Sequence, residues 1–267
     1  NKSFLGLDGL TRKFIPAKLA DNPYLSEDGV YEQMLMSLPP IQRRQLLEGN
    51  WDVAEGAAFV EFDPTAHVIT PFELPVHWER VKGIDYGYAS ESCCLWGIID
   101  INDGTLIIYR ELYRKNLTGV DLGGIITDME MEDPFSVPGV LDTAAWARTG
   151  TTGPTVGESL VKAGHKLRRA DKNRIQGKIQ IHEYLKVREN GRPKLQIFNT
   201  CPNLIRELQS IPLSKVNPED VDTHASDHAY DALRYMIMSR PRTESPLERL
   251  RGIKKEIYRP VDSTFGY

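Results

Sequence analysis

Residues 80–112 constrain the fold most. Arg80 to Asp85 alternates into a buried-type pair, Gly83-Ile84, and stops at the turn-forming Asp85-Tyr-Gly87. Cys93 to Ile101 is a continuous apolar run of strand length. Asn102-Asp-Gly104 follows it, and such residues tolerate the positive φ that a tight hairpin turn demands. Thr105 to Arg110 alternates again and is expected to pair back. Three consecutive antiparallel strands therefore stand at 80–112. A sheet with an apolar central strand needs cover, so helices must follow.

The later chain provides them. Leu117 to Met131 has helical periodicity, and Gly139-Val-Leu-Asp142 is a short apolar strand ending in an aspartate. A Gly/Thr-rich loop leads into a helix at Thr155 to Ala163, a strand at His165 to Arg169 and a long helix at Arg174 to Glu189. Lys194 to Phe198 reads as a strand, and Asn203 to Ile211 and His224 to Ser239 read as helices. The order β-β-β-α-β-α-β-α-β-α-α predicts an α/β fold with a mixed sheet flanked by helices. Ahead of this core, Ala58 to Phe62 is expected to be a strand. Residues 1–55 read as a helical linker: Phe14-Ile-Pro-Ala17 is extended, and Tyr31 to Met36 and Ile41 to Leu47 are helices parted by Pro39-Pro40. The expected units are 1–55, 56–240 and a charged, Pro-bearing tail at 241–267, expected to be poorly ordered.

Composition excludes little. The chain has 267 residues, 40% hydrophobic and 26% charged, which is enough for a large core. A net charge of −4 gives no global basic field, though a local basic groove can sit on an acidic protein. Three cysteines make neither a disulfide framework nor a zinc array. No apolar run approaches membrane-spanning length and no signal-peptide pattern is present, so a soluble, non-secreted chain is expected. The chain opens at Asn1 in a stretch that reads as the middle of a longer polypeptide.

The chemistry lies in carboxylates. Asp85 and Asp142 each end an apolar strand, and ligands bind at the carboxyl edge of such sheets. A third group opens the last helix: Asp227, His228 and Asp231, at offsets of three and four that share a helix face. Taken singly, each is a turn or helix cap, Asp227 above all. Meeting without matching Lys or Arg, they would repel, and a divalent metal is the usual resolution. Hard oxygen donors suit magnesium or manganese (Mg2+ or Mn2+), and His228 admits Mn2+ the more readily. Two ions roughly 3.5–4 Å apart activate a water and stabilise a leaving oxygen in phosphodiester cleavage. Asp85 would bridge them, with Asp142 on one and Asp231 with Asp227 or His228 on the other.

The set Gly83-Ile-Asp85-Tyr-Gly87, Leu141-Asp142-Thr-Ala and Ser226-Asp-His-Ala-Tyr-Asp-Ala-Leu-Arg-Tyr235 resembles the nuclease domain of tailed-phage terminase large subunits. Phe14-Ile-Pro-Ala17, Asp21-Asn-Pro-Tyr24 and Leu46-Leu-Glu-Gly-Asn-Trp51 are similar to the family's stretch between packaging ATPase and nuclease. The resemblance spans roughly residues 5–240, and Asp-His-x-x-Asp-Ala-Leu-Arg-Tyr is its most specific part. It implies an RNase H-like fold and a metal-dependent DNA endonuclease that cuts concatemeric viral DNA. It implies metal ligands at Asp85, Asp142 and the helix start, where family members differ between Asp227 and the His228–Asp231 pair. The Asp-Ala-Leu-Arg-Tyr context favours Asp231 with His228. It further implies double-stranded DNA, small terminase subunit and portal protein as partners, in the host cytoplasm. No G-x-x-x-x-G-K-[ST] loop occurs, so no ATPase activity is expected of this chain.

A nuclease needs cations for the phosphate backbone. Arg168, Arg169, Lys172, Arg174 and Lys178, beside Lys166, cluster between the last core strands and the long helix. Arg148 follows Asp142 closely, ahead of the pliable Thr149-Gly-Thr-Thr-Gly153. Arg188, Arg192 and Lys194 surround the Asn190-Gly191 turn. The rival readings are another RNase H-like phosphotransferase, such as a resolvase or transposase, and a non-catalytic module binding DNA or portal protein.

Overall fold

The computed structural model describes residues 56–148, 153–217 and 219–240, the backbone of Lys2–Leu5 (β1) and Thr11–Phe14 (β2), and single residues Asn22, Tyr31, Met34, Leu35 and Leu46. β1 and β2 form an antiparallel pair within the segment expected to be helical. Tyr31, Met34, Leu35 and Leu46 are helical, and the other residues of the two expected helices lie outside the described residues, as does the tail after Arg240.

From Pro64 the elements are α1 (Pro64–His67), β3 (Val68–Ile69), β4 (Arg80–Asp85), β5 (Ser92–Ile99), β6 (Leu106–Arg114), α2 (Gly119–Met129), β7 (Gly139–Leu141), α3 (Val156–Lys162), β8 (Leu167–Arg169), α4 (Arg174–Leu185), β9 (Leu195–Phe198), α5 (Pro202–Ser210) and α6 (His228–Met238). Seven strands form one sheet in the order β3-β9-β6-β5-β4-β7-β8. β5 is antiparallel to both β4 and β6, and every other pairing is parallel. Six strands thus run one way and β5 alone runs against them, so six carboxyl ends share one edge.

One expectation for this region differs. Ala58 to Phe62 is no strand: Phe59 and Phe62 are buried, but the backbone turns through them. The edge strand of this region is instead Val68–Ile69, beside β9. With two residues it is too short to show alternation.

β5 is buried throughout, from Ser92 to Ile99, because the sheet is covered on both faces. Each fully buried large apolar side chain there contributes about 1.5–3 kcal/mol. α6, backed by α4 and α5, lies on one face against β4, β5 and β7, while α2 and α3 pack together on the other side. The period of two along β4 sends alternate residues to the two faces. Lys82 points away from α6, where its Nζ donates to Glu130 Oε1 at 2.6 Å beside the Trp96 Nε1–H donor at 2.8 Å. Gly83 points at α6 and allows the backbones to touch: a Cβ there would overlap the Ala232 carbonyl oxygen. Asp85, two residues on, shares the α6 side.

Candidate active site

β4 and β7 pair in parallel with Ile84 opposite Leu141, so Asp85 and Asp142 leave adjacent strand ends side by side. The Asp142 amide donates to the Ile84 carbonyl at 3.0 Å and locks the pair. Beyond Asp85 the chain is closed by Ser92, whose hydroxyl donates to the Gly87 carbonyl at 2.7 Å. α6 begins directly opposite. His228 Nδ1 lies 3.0 Å from Asp85 Oδ2, and Nε2 lies 3.5 Å from Glu91 Oε2. Lys115 in turn sits 3.3 Å from Glu91. Tyr235, two turns along α6, points its hydroxyl at Asp142 Oδ1, 3.4 Å away.

Burial pushes the Asp85 carboxyl above its ordinary range; the His228 hydrogen bond pulls it back, and the Asp231 and Asp142 charges push it up again. The Asp85 hydrogen bond raises the pKa of the His228 imidazole, against the opposing effect of burial. Asp227 is pushed up to about 6 by burial, with Asp231 adding to the effect. The strand ends and the helix start therefore lie beside one another.

Their partners differ from the expectation. Asp227 occupies the N-cap position of α6, but its side chain makes no capping bond. Glu207 of α5, 1% exposed, caps α6 instead. Its Oε2 accepts from the Ala229 and Tyr230 amides at 2.8 and 2.9 Å, satisfying donors that a helix start leaves orphaned. Tyr113 donates to its Oε1 at 2.8 Å. The readable sign was a carboxylate inside the apolar stripe Leu204, Leu208 and Ile211. Burial pushes Glu207 up to about 7, against those hydrogen bonds. A folded pKa above the ordinary 4.5 means stability that is present below pH 4.5 and lost as pH rises through 7. Glu207→Gln keeps the acceptor without the titration. Thermal melts of the two proteins across this window are expected to show a slope, up to about 3 kcal/mol, that the variant lacks.

The acidic cluster also has matching cations. Arg234, 2% exposed, donates from Nε to Asp231 Oδ1 at 2.9 Å. Arg174, expected on a DNA-binding face, reaches into the cluster: Nη1 donates to Asp231 Oδ2 at 3.1 Å, Nη2 to Asp227 Oδ2 at 3.4 Å and Nε to Asp220 Oδ2 at 2.9 Å. No three His, Cys, Asp or Glu among the described residues are gathered tightly enough to cage an ion as they stand. The donor chemistry at Asp85 and Asp142 nevertheless suits a hard divalent ion: partly buried carboxylates on adjacent strand ends whose charges repel.

The other expected cations divide. Arg169 ends β8, the strand beside β7, and its guanidinium stacks on Trp146 with 5.4 Å to the ring centroid. Arg148 and Lys172 are exposed near the same edge. Arg168 instead donates to the Ser239 carbonyl at 2.7 Å, at the far end of α6. Lys178 is buried on α4, where burial lowers its pKa against the pull of Asp220, so it is no surface cation. Arg188 and Arg192 fasten the 187–193 excursion to the β5–β6 turn, through Asp103 at 2.9 Å and Asp100 at 2.8 Å. Residues 149–152 lie outside the described residues.

No family model and no curated protein matches the chain. Solved structures do. The nuclease domain of the P22 large terminase is 17% identical, with 69% of this chain and 92% of that one covered and a TM-score of 0.57. The large terminase of a thermophilic bacteriophage is 18% identical over 82% of this chain and 54% of its own, with a TM-score of 0.57. The ADP complex of that same terminase gives 18% identity, 83% and 54% coverage and a TM-score of 0.59. The chain thus spans about half the length of the thermophilic phage's protein. At such identities the likeness is one of fold, and the mixed seven-stranded sheet with its flanking helices is the RNase H-like fold of the phage large-terminase nuclease domains.

Proposed function

We propose that this chain is a metal-dependent DNA endonuclease of a viral packaging terminase. The observation that carries the reading is the meeting of Asp85 and Asp142, on adjacent parallel strand ends, with the start of α6, where His228 stands 3.0 Å from Asp85. Asp85 and Asp142 would hold a divalent ion, Mg2+ or Mn2+, with His228 as a third donor once neutral. When bound, the ion supplies Lewis-acid polarisation of a phosphodiester and a water of lowered pKa.

The chain's own residues do the rest. His228 stands between Asp85 and Glu91 and fixes the Asp85 carboxylate in orientation. Tyr235 orients Asp142. Arg169, held over the Trp146 ring, lies one strand beyond Asp142, and with Arg148 and Lys172 it forms a cationic approach for the phosphate backbone of double-stranded DNA. No base-reading element accompanies it among the described residues, so cleavage without strong sequence preference follows, with the small terminase subunit and portal as the partners that direct it in the host cytoplasm. Among the described residues no helix is long and apolar enough to cross a membrane.

Supercoiled plasmid tests the reading. Nicked and linear products are expected with Mn2+ or Mg2+ and none in EDTA. Absence of cutting with either ion, together with no metal-induced rise in melting temperature, leaves the non-catalytic binding module as the better account.

A further inference from the structure

Among the described residues, one half of the acidic cluster lacks a positive partner of fixed charge and the other half has two. Asp85 and Asp142 face a protonatable imidazole and a phenol. Asp220, Asp227 and Asp231 face Arg174 and Arg234, and both oxygens of Asp231 are taken by guanidinium nitrogens. Arg174 spends all three of its nitrogens on these carboxylates. It is the first residue of α4, where the helix dipole disfavours a cation. The carboxylates therefore hold it there, against the dipole. A guanidinium stays charged at any working pH, and its planar fork is pre-organised for several acceptors. An ion claiming Asp227 and Asp231 would have to displace it.

We infer that Arg174 stands in the place of a second metal ion: the chain binds one divalent ion, at Asp85 and Asp142, and the Arg174 guanidinium supplies the remaining positive charge on the Asp231 side. This rests on the metal-dependent reading above and departs from the two-ion arrangement expected from the sequence. It predicts a stoichiometry, which can be read without any cleavage assay.

Equilibrium dialysis of the full chain against Mn2+ is expected to find one bound ion in the wild type, one in Arg174→Lys and two in Arg174→Gln. Electron paramagnetic resonance of the bound Mn2+ is expected to show an isolated ion in the wild type and a spin-coupled pair in Arg174→Gln. Two ions in the wild type overturn the inference and leave the nuclease reading intact. One ion in a folded Arg174→Gln, checked by circular dichroism, also overturns it. Should Arg174→Gln not fold, the wild-type spectrum decides alone, a coupled pair refuting and an isolated ion supporting. No bound ion in any of the proteins refutes the metal-dependent reading itself and the inference with it.

Discussion

Asp85→Ala is expected to lower Mn2+-supported plasmid cleavage by about 10^3-fold or more, since several kcal/mol of transition-state charge stabilisation leave with the ion it helps to hold. The fold is expected to survive. Asp85 caps no helix, and its charged form is opposed by burial and by the nearby Asp231 and Asp142. Removing it relieves that opposition while leaving His228 its Glu91 contact, so the metal-free stability should move by no more than about 1 kcal/mol. The diagnostic pair is an unchanged melting temperature in EDTA and loss of the rise produced by Mn2+ in the wild type. Cleavage at the wild-type rate would remove Asp85 from the site.

Gly83→Ala is expected to have the largest effect on stability. The added methyl has no room, because what it meets is the Ala232 carbonyl of α6, with the Met236 Cβ close behind. Backbone cannot rotate aside as a side chain can. The substitution should therefore cost about 3 kcal/mol or more, at the upper end of overpacking. For a domain of this size that lowers the melting temperature by roughly 6–12 °C. Any relief must come from lifting α6 off β4, which carries His228 away from Asp85. A displacement near 1 Å is enough to cost about 10^2-fold in rate. Activity measured well below the melting transition separates the two effects: a variant that is destabilised yet fully active would show that the helix contact does not set the site.

Much of this was legible because it is local. The meander at 80–112 is encoded by alternation and a hairpin turn, and strand-end aspartates stand out against apolar neighbours. The start of α6 was readable from its spacing. The unread parts depend on distant partners. Arg174 looked like a surface cation because Asp220, Asp227 and Asp231, 46 to 57 positions away, are what turn it inward. Asp227 looked like a cap because nothing near it in sequence shows Glu207 arriving from α5 to do that work. Lys178 belonged to a charge run by sequence and to a buried helix face by packing. Ala58 to Phe62 had the apolar content of a strand, and Phe59 and Phe62 are buried without a ladder.

The site is also divided in time. His228 lies 143 positions after the Asp85 it faces, in the last helix of the described fold. At ribosomal rates roughly 7–30 s separate the synthesis of the two. A nascent chain carries its strand-end carboxylates through that interval with nothing from α6 opposite them. Prematurely ended products share this condition, since any stop before α6 removes a whole wall of the site. Under the proposed nuclease function, the order of synthesis is itself a safeguard: the site closes only after α6 has left the ribosome.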